Sequence, residues 1–369
     1  MILLNPTMAS VATLASSVSN NSAGGDSARV ASVPADVLLP LKPWLQKLEV
    51  LLESQCDLFE PSVGTCVRYV TSNQGKRLRP ALVIFSAQAQ GSLGPQSVGA
   101  QFIAPSEDDL LKLCAIIEMV HIATLVHDDI MDGAQLRRNR LTAAAKWGQE
   151  ISVLLGDCLF AHALALAASY STPRICRRVA EATNLVCSGE ILQTQRRFDL
   201  KLREEDYLRM IEMKTGALFS VACELGATLT GASEEGAKDF HEFGRLLGIA
   251  YQIYDDCLDL VGSEKDLGKS LGTDLQKGKL TLPEILLLQQ AQESEIHLIS
   301  SILLNEHANS RAMLIEFIRR YDTLHQATRK ARAILQEARL QTRRFPEGEG
   351  QDALQGLVGY LESELERLE

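Results

Sequence analysis

A short acidic motif occurs twice in the sequence, as DDIMD at residues 128–132 and as DDCLD at residues 255–259. In each copy the first and last carboxylates are four residues apart, which on a helix places them on one face, one turn apart. Like charges at this spacing repel each other, so the arrangement favours a bound cation. Ligand sets made only of oxygen select hard cations, and a few carboxylates completed by water suit Mg²⁺. The two motifs therefore predict a magnesium site that also binds a diphosphate.

A single copy of this motif would be as typical of a charged helix face as of a metal site. Both copies, however, end strongly apolar segments, where a solvated acidic face would be out of place. Because the pattern occurs twice in that setting, we interpret both copies as functional. The pair His127-Asp128, with His121 upstream, also leaves open an HD-type metal phosphohydrolase. That alternative uses neither the second motif nor the arginines that follow the first.

Basic residues lie near the acidic motifs, although the chain of 369 residues carries a net charge of −10. The segment GKRLRP at 75–80 places Lys76 and Arg79 just before Pro80, which is expected to open a helix, and cations at a helix start bind phosphate. Further candidates are Arg137, Arg138, Lys214, Thr215, Gln252, Lys269 and Lys279. Each alone is typical of a solvated surface. Together they exceed the needs of one diphosphate and favour two diphosphate substrates.

The segments that must position these residues have the pattern of helices. Apolar residues recur with a period near 3.6. They predict helices at 110–126, 151–170, 208–230, 240–261 and 283–304. Loops are expected at 91–107, 262–280 and 346–350, which are rich in Gly and Pro. No linker divides the body, so the sequence predicts an all-α fold with one domain at 36–369.

Two helix starts are indicated by capping residues. Ser106 followed by Asp109, and Thr281 followed by Glu284, have the spacing in which each side chain satisfies the other residue's free backbone group. Pro283 lies in the first turn of the second helix, where its missing N–H costs nothing.

The composition excludes several classes of protein. With 46% hydrophobic residues the chain can bury a large core, and its acidity argues against nucleic acid as a partner. Eight scattered cysteines without C-x-x-C spacing predict reduced, mostly buried thiols. The sequence has no run of 18 uninterrupted apolar residues, so no transmembrane helix is expected.

The N-terminal residues 1–35 are rich in Ser, Ala, Val and Asn and are expected to form a disordered tail. A plastid or mitochondrial transit peptide would be rich in Ser and poor in acids but also rich in Arg, and this segment contains only Arg29. We therefore expect a cytoplasmic protein, with plastid or mitochondrion as the alternative.

The ordered motifs GKRLRP, DDIMD with LRRNR, GEILQ, KTG, YQIYDDCLD, GKSLGTDL and KGKLTLP resemble those of the trans-polyprenyl diphosphate synthases. The resemblance covers about residues 40–300, and two aspartate-rich motifs in this context are highly specific. It implies one large helical bundle of the isoprenoid synthase type, with a central substrate cavity. It also implies a homodimer, with Mg²⁺ as the cofactor, three ions per active site. The implied substrates are isopentenyl diphosphate and an allylic diphosphate.

The resemblance implies a role for each candidate residue. Mg²⁺ would be ligated by Asp128, Asp132 and Asp255, supported by Asp129, Asp256 and Asp259. The allylic diphosphate would also be bound by Arg137, Lys214, Thr215, Gln252, Lys269 and Lys279. Isopentenyl diphosphate would be bound by Lys76, Arg79, His121 and Arg138. Lys214 and Gln252 would act in catalysis together with the six aspartates.

Two short segments depart from the pattern of these synthases. A second glycine usually precedes the lysine of the first basic segment, and Gln74 stands there in this chain. The arginine pair is usually followed by Gly, and here Asn139 follows it. Neither change removes a charged group.

The implied reaction has three steps: ionisation of the allylic diphosphate, attack by the alkene of isopentenyl diphosphate, and loss of a proton. A terpene cyclase would share the first motif but carry an Asn/Ser/Glu pattern in place of the second. An inactive synthase subunit would usually lack one aspartate motif, and both are intact here. These alternatives are therefore weaker than an active synthase.

Product length is expected to depend on the helix that ends in the first motif. Thr124 lies one turn before Asp128, Ala123 lies beside it, and Val120 is one turn further back. Synthases of short products usually have an aromatic residue here as a floor. Ala123 and Val120 leave the path open, so we predict a product longer than farnesyl diphosphate. A short-chain farnesyl or geranylgeranyl synthase is the alternative.

Overall fold

The computed structural model describes residues 35–72, 75–91, 106–262, 272–304, 307 and 309–369, and within these ranges the chain is predominantly helical. The first helices are α1 (Ala35–Leu38), α2 (Lys42–Cys56), α3 (Pro61–Thr71), α4 (Leu78–Gln90), α5 (Glu107–Met131) and α6 (Ala143–Trp147). The middle of the chain forms α7 (Gln149–Ala168), α8 (Pro173–Gln195), α9 (Glu204–Ile211), α10 (Ala217–Leu229) and α11 (Glu234–Val261). The last helices are α12 (Thr273–Gln276), α13 (Leu282–Gln290), α14 (Glu293–Leu303), α15 (Ser310–Arg320), α16 (Thr323–Thr342) and α17 (Glu349–Glu366). The predicted all-α fold is confirmed.

The two predicted helix starts are confirmed by their hydrogen bonds. The hydroxyl of Ser106 accepts from the backbone N–H of Asp109 at 3.1 Å, so α5 begins at the next residue. The backbone N–H of Thr281 donates to the carboxylate of Glu284 at 2.5 Å, and α13 follows.

Three segments differ from the sequence prediction. Residues 208–230 are not one α-helix, because the π-helical turn Glu212–Gly216 joins α9 to α10. Residues 283–304 form two helices, since Ala291 and Gln292 adopt extended backbone between α13 and α14. Pro80 does not open α4, which begins two residues earlier. Proline is tolerated at that third position because its missing N–H has no partner within the first turn.

A short β-hairpin follows α5 and turns the chain back toward it. Strands β1 (Leu136–Arg137) and β2 (Arg140–Leu141) pair antiparallel. The two turn residues, Arg138 and Asn139, have φ of 51° and 60°. A two-residue hairpin with both φ angles positive is a type I′ turn, and asparagine tolerates this conformation well. Asn139 therefore fills the position where glycine is usual without losing the turn.

The core is formed mainly by α4, α5, α10 and α11, which pack against one another with α16 and α17 outside them. A second, smaller cluster lies between α3, α5 and α7 and includes Ala123, Val126 and Leu159. Both acidic motifs lie at the C-terminal ends of the long apolar helices α5 and α11, as predicted.

Two helices, α5 and α7, are long and apolar enough on length and composition to span a membrane. Counting uninterrupted apolar runs misses them, because each contains isolated polar residues. The apolar window of α5 is 72% buried, as in a core helix, whereas that of α7 is only 33% buried. All eight cysteines are free thiols, but only four of them are buried and Cys187 is exposed, so the prediction that most would be buried is not met.

Candidate active site

The first acidic motif lies among cations from three other segments. Asp132, the C-cap of α5, receives Lys279 Nζ at 3.0 Å, Lys277 Nζ at 3.1 Å and Arg197 Nη2 at 3.3 Å. Burial alone would raise the pKa of Asp132, but Lys279 and Lys277 outweigh it and lower that pKa. Asp132 is therefore held as a carboxylate.

Asp128 faces the same space, one turn earlier on α5. Lys214 Nζ lies 3.8 Å from its Oδ2 and also forms an ion pair with Glu190. Burial and the charges of Glu190 and Asp132 raise the pKa of Asp128, although Lys214 and Lys279 oppose the shift. Negative charge is thus crowded at this end of α5.

The π-helical turn positions Lys214 and Thr215. A π turn widens the helix and is frequent at functional sites. Helix α8 approaches this turn closely at Gly189, where an added Cβ would lie 2.7 Å from the backbone nitrogen of Lys214. That approach brings the neighbouring residue, Glu190, against the ammonium of Lys214.

The second acidic motif is tied into the helices around it. Asp256 accepts from the hydroxyl of Tyr207 and from Gln252 Nε2, both at 2.7 Å. Gln252 in turn accepts from the hydroxyl of Thr215 at 2.6 Å, so the motif is linked to the π turn. Burial and the charge of Asp274 raise the pKa of Asp256 well above its ordinary value.

The remaining carboxylates of the second motif have different surroundings. Asp259 is buried and accepts from the hydroxyl of Thr273 and the backbone N–H of Asp274, both at 3.2 Å, so it caps α12. Asp255 is half-buried. Its charge acts on both Lys76 and Asp274. Burial, Asp259 and Asp255 raise the pKa of Asp274 to about 6.

Arg137 and Asp129 form a pair behind the first motif. Arg137 Nε lies 2.9 Å and 3.1 Å from the two carboxylate oxygens of Asp129, and its Nη2 lies 2.8 Å from one of them. Such fork-like pairs fix geometry as well as charge. The pair therefore fixes the orientation of Arg137 at the end of α5 that carries the first motif.

A second, electropositive pocket lies between α4, α5 and the hairpin. Burial lowers the pKa of His121 well below its ordinary value, and Arg79, Arg137 and Arg138 lower it further, so the imidazole is neutral in a field of guanidinium groups. Arg79 is half-buried, and its guanidinium lies 5.0 Å from the centre of the Phe219 ring. Its Nε is buried and has no hydrogen-bond partner among the described residues. These features make the pocket electropositive.

Gly75 connects the first basic segment to the hairpin. An added Cβ there would lie 2.6 Å from Nη2 of Arg138. The glycine thus makes room for the guanidinium of Arg138, and Lys76 follows beside it. The structure therefore brings together the four residues expected to bind isopentenyl diphosphate: Lys76, Arg79, His121 and Arg138.

Two expected residues lie outside the described residues, namely Lys269 and Gln74. The three expected chain-length residues lie on α5. Val120 and Ala123 are fully buried in the two core clusters. Thr124 is half-buried on the face of Asp128, and its hydroxyl donates to the carbonyl of His121 at 2.7 Å.

His127 lies away from this site. Its Nε2 is 3.0 Å from the carbonyl oxygen of Val153 on α7, and its ring packs where Gly156 leaves space. It faces α7, so the pair His127-Asp128 does not act as one metal-binding unit. The geometry does not support the HD-type alternative.

Several charged residues of the site were not assigned from the sequence: Arg77, Glu118, Glu190, Arg197, Asp274 and Lys277. Glu190, Asp274 and Lys277 do lie within motifs already noted, GEILQ, GTDL and KGK. Their position in those motifs was the available signal. Arg197 carries no comparable motif, and only the fold brings it to Asp132.

The donor atoms of the site fit a hard divalent cation. In the part of the chain that the structure describes, no group of three His, Cys, Asp or Glu side chains is close enough to form a ready-made cluster. The carboxylates of Asp128 and Asp132 are instead crowded together with Glu190 and compensated by lysines. Crowded carboxylates without nitrogen or sulfur donors suit Mg²⁺ or Ca²⁺.

Known proteins share this architecture. The family model for polyprenyl synthetase matches residues 60–319. Heptaprenyl diphosphate synthase component 2 of Bacillus subtilis is 33% identical over 289 residues, 78% of each chain. A decaprenyl diphosphate synthase from Rhodobacter capsulatus has 30% identity and a TM-score of 0.80, covering 91% of this chain and 100% of that one. A polyprenyl synthase from Caulobacter crescentus, solved with calcium and isoprenyl diphosphate, has 30% identity and a TM-score of 0.81, covering 90% and 98%.

A predominantly helical fold with two carboxylate motifs, lysines paired with the first motif and an arginine-rich pocket nearby, together with the family match, identifies a prenyltransferase. The chain belongs to the polyprenyl synthetase family and is a polyprenyl diphosphate synthase. The resemblance inferred from the motifs is thereby confirmed.

Proposed function

We propose that this chain condenses isopentenyl diphosphate with an allylic diphosphate and releases a product longer than farnesyl diphosphate. The observation that carries the proposal is the pairing of two different anion environments: a carboxylate and lysine site at the ends of α5 and α11, and an arginine pocket beside it. The charge of Asp255 acts on both Lys76 and Asp274, so the two environments are close enough to interact electrostatically. Two adjacent sites for diphosphates are what a condensation of two diphosphates requires.

The allylic diphosphate is assigned to the carboxylate and lysine site. Mg²⁺ would be held there by Asp128, Asp132 and Asp255, with three ions expected, and when bound it neutralises the diphosphate as a leaving group. Lys214, Lys277 and Lys279 add fixed positive charge where the diphosphate separates from the allylic carbon.

Lys214 and the π turn are held for this task by their neighbours. The carboxamide of Gln252 accepts from the hydroxyl of Thr215 and donates to Asp256, so hydrogen bonds link the three groups. Arg137, fixed by Asp129, supplies a further cation at the same end of α5.

Isopentenyl diphosphate is assigned to the arginine pocket. Its diphosphate would pair with Lys76, Arg79 and Arg138, and neutral His121 would donate a hydrogen bond. This places the alkene carbon near the allylic carbon, at about 3 Å in a reactive geometry. Attack forms the new carbon–carbon bond, and the proton lost from the adduct passes to the released diphosphate or to a nearby basic group.

Two of the similar proteins support a long product, since they are named a heptaprenyl and a decaprenyl diphosphate synthase. Small residues on α5 are consistent with a long product. Ala123 is packed against α7 in this structure, so elongation requires that the growing chain displace neighbouring apolar side chains or run along the face of Thr124.

The proposal includes a homodimer, and α7 is the surface that favours it. This helix is strongly apolar, yet Ile151, Val153 and Leu154 are 47%, 43% and 63% exposed. Leu185 and Ile191, on the helix α8 that packs against α7, are also exposed. Large exposed apolar patches mark interaction sites. A different partner subunit is the alternative outcome, since one relative is named as a component of its synthase.

The experiment is transfer of radiolabelled isopentenyl diphosphate into material that organic solvent extracts. The proposal predicts label in the extract only with an allylic diphosphate and Mg²⁺, and its loss on addition of EDTA. Hydrolysis of the diphosphates without a condensed product would contradict it and favour a phosphohydrolase. A cyclic hydrocarbon formed without isopentenyl diphosphate would favour a terpene cyclase.

A further inference from the structure

Arg77 follows Lys76 directly and precedes Arg79 by two residues. Its side chain pairs with acids on other helices instead of adding to the electropositive pocket. Its side chain is only 4% exposed. Its Nε and Nη2 donate to the carboxylate of Glu49 at 2.9 Å and 3.2 Å. Its Nη1 donates to Glu118 at 2.6 Å, and Nη2 also donates to the carbonyl of Thr71 at 2.9 Å. Arg77 is thus bound to α2, α3 and α5 at once.

The backbone of Arg77 has a conformation that L-residues rarely adopt. Its φ and ψ are 48° and 39°, in the left-handed region, and it is the N-cap of α4. Such a conformation costs energy in a residue other than glycine and persists only when the surroundings hold it. The four hydrogen bonds of the guanidinium are the contacts that hold it.

This left-handed residue determines how the two neighbouring cations are presented. Lys76 precedes the reversal in the chain, and Arg79 follows it in the first turn of α4. With an ordinary negative φ at residue 77, Lys76 would leave in another direction. Glu118 lies three residues before His121 on α5, so the Arg77–Glu118 pair also ties the basic segment to the helix that carries His121.

The buried guanidinium of Arg77 is balanced by the carboxylates of Glu49 and Glu118. Burial opposes the charge of Arg77, but Glu118 and Glu49 outweigh it, and the pKa of Arg77 is raised. Buried ion pairs rarely stabilise a fold more than apolar packing would, so their better-supported use is to specify one conformation.

We infer that Arg77, clamped by Glu49 and Glu118, is a positioning residue for the isopentenyl diphosphate site. This rests on the proposed function, in which Lys76 and Arg79 bind that substrate. The clamp holds the left-handed backbone, and the backbone aims the two cations. Loss of the clamp weakens the isopentenyl site and leaves the allylic site intact.

Arg77→Ala and Arg77→Gly form the decisive pair. Both remove the guanidinium, but only glycine adopts the left-handed conformation without strain. We expect Arg77→Ala to raise the KM for isopentenyl diphosphate by about tenfold or more, with the KM for the allylic substrate changed less than about twofold. Arg77→Gly is expected to recover a large part of the loss and to melt at a higher temperature than Arg77→Ala.

Matched variants keep the test decisive if Arg77→Ala folds poorly. Glu49→Gln weakens the clamp from its half-buried side and is expected to raise the KM for isopentenyl diphosphate by about two- to threefold. Arg68→Ala is the control, because Arg68 also pairs with two acids, Glu53 and Asp57, but at the exposed surface of α3. Its kinetic constants are expected to match those of the unaltered enzyme.

Lys76→Ala distinguishes the assignment of the pocket to isopentenyl diphosphate from the positioning role of Arg77. If it leaves the KM for isopentenyl diphosphate unchanged, the assignment of the pocket is overturned. If Lys76→Ala raises that KM but Arg77→Gly is no better than Arg77→Ala, the inference alone is overturned. An Arg77→Ala enzyme with wild-type KM for isopentenyl diphosphate also overturns the inference alone.

Discussion

The charged side chains of the site are held by opposite charges on other helices. Lys214 bridges Asp128 on α5 and Glu190 on α8, and Asp132 gathers cations from two further segments. Because the lysines neutralise them, the carboxylates of Asp128, Asp132 and Glu190 can lie close together without a bound substrate. We therefore expect the substitution of one charged residue of the site to affect turnover more than stability.

Asp128→Asn tests the role of the first motif. The variant keeps the size of the side chain but removes a carboxylate that burial, Glu190 and Asp132 already disfavour. Turnover is expected to fall about a hundredfold or more, while the melting temperature without substrate stays level or rises. Steady-state kinetics and thermal melting measure the two effects. Near-normal turnover, with equal dependence on Mg²⁺, would contradict the metal assignment.

Glu224 gives a prediction for stability against pH away from the site. Burial would raise its pKa, but hydrogen bonds from His241 at 3.0 Å and Arg178 at 2.9 Å outweigh it and lower the pKa to about 2, from 4.5. A lowered pKa stabilises the fold above 4.5, and that stability is lost as the pH falls from 4.5 towards 2.

Melting temperatures measured across that range check the sign. The unaltered protein is expected to lose stability steeply on acidification, and Glu224→Gln to be less stable at neutral pH but to lose less. The control is Glu235→Gln, because Glu235 is exposed in the first turn of α11; this variant should follow the unaltered protein. Identical acid profiles for Glu224→Gln and the control would count against the ionic cluster.

For single residues, the sequence predicted which side chains belong to the site better than it predicted their hydrogen-bond and ion-pair partners. Both aspartate motifs and the basic segments were recognisable because their spacing is local. The pairs Arg137–Asp129 and Arg77–Glu118 were not, since pairing depends on how distant segments fold together. The same limit applies to the capping role of Asp259.

At the scale of elements, α8 and the π turn act as one unit. Their contact depends on Gly189, where an added Cβ would lie 2.7 Å from Lys214 N and 2.9 Å from Met213 Cβ. Because both neighbours belong to the backbone or its first side-chain atom, they cannot rotate away. The two elements must separate to admit even one methyl group.

Gly189→Ala is therefore expected to cost about 1–3 kcal/mol of stability and to raise the KM for the allylic substrate through displacement of Lys214. Denaturant unfolding and steady-state kinetics measure these effects. Gly356→Ala on α17 is the matched control. Its Cβ would meet only Val37, at 3.6 Å, so the better helix propensity of alanine should add about 0.5–1 kcal/mol. Equal behaviour of the two variants would argue against the close approach.

The sequence predicted elements well where a local signal exists. Ser106 and Thr281 marked helix starts that the structure confirms. The π turn had no such signal, because residues 208–230 keep an apolar pattern through it. The break at Ala291 was missed for the same reason, since apolar residues continue on both sides.

At the scale of the whole molecule, the exposed face of α7 is the feature that a single chain leaves unexplained. A second copy covering this face would be joined by self-complementary packing about a two-fold axis, the commonest arrangement of soluble oligomers. Two copies of α7 and α8 would then bury the exposed apolar side chains of both helices.

Leu154→Lys tests this arrangement. A buried, unpaired ammonium at the interface is costly, so the variant is expected to sediment as a monomer where the unaltered protein sediments as a dimer. Leu340→Lys on α16 alters a leucine of similar exposure, 54% against 63%, and should leave the dimer intact. A monomeric unaltered protein, or a Leu154→Lys dimer, would show that another partner or none covers α7.

The chain length of the product is the most direct measure of the proposed condensation. Isolated enzyme, Mg²⁺, an allylic diphosphate and excess labelled isopentenyl diphosphate are incubated, the products are dephosphorylated, and their lengths are measured by chromatography or mass spectrometry. We predict a principal product longer than farnesyl, shortened in Ala123→Phe while condensation continues. A principal product that stops at farnesyl would contradict the predicted length. No condensed product at all would contradict the proposed reaction.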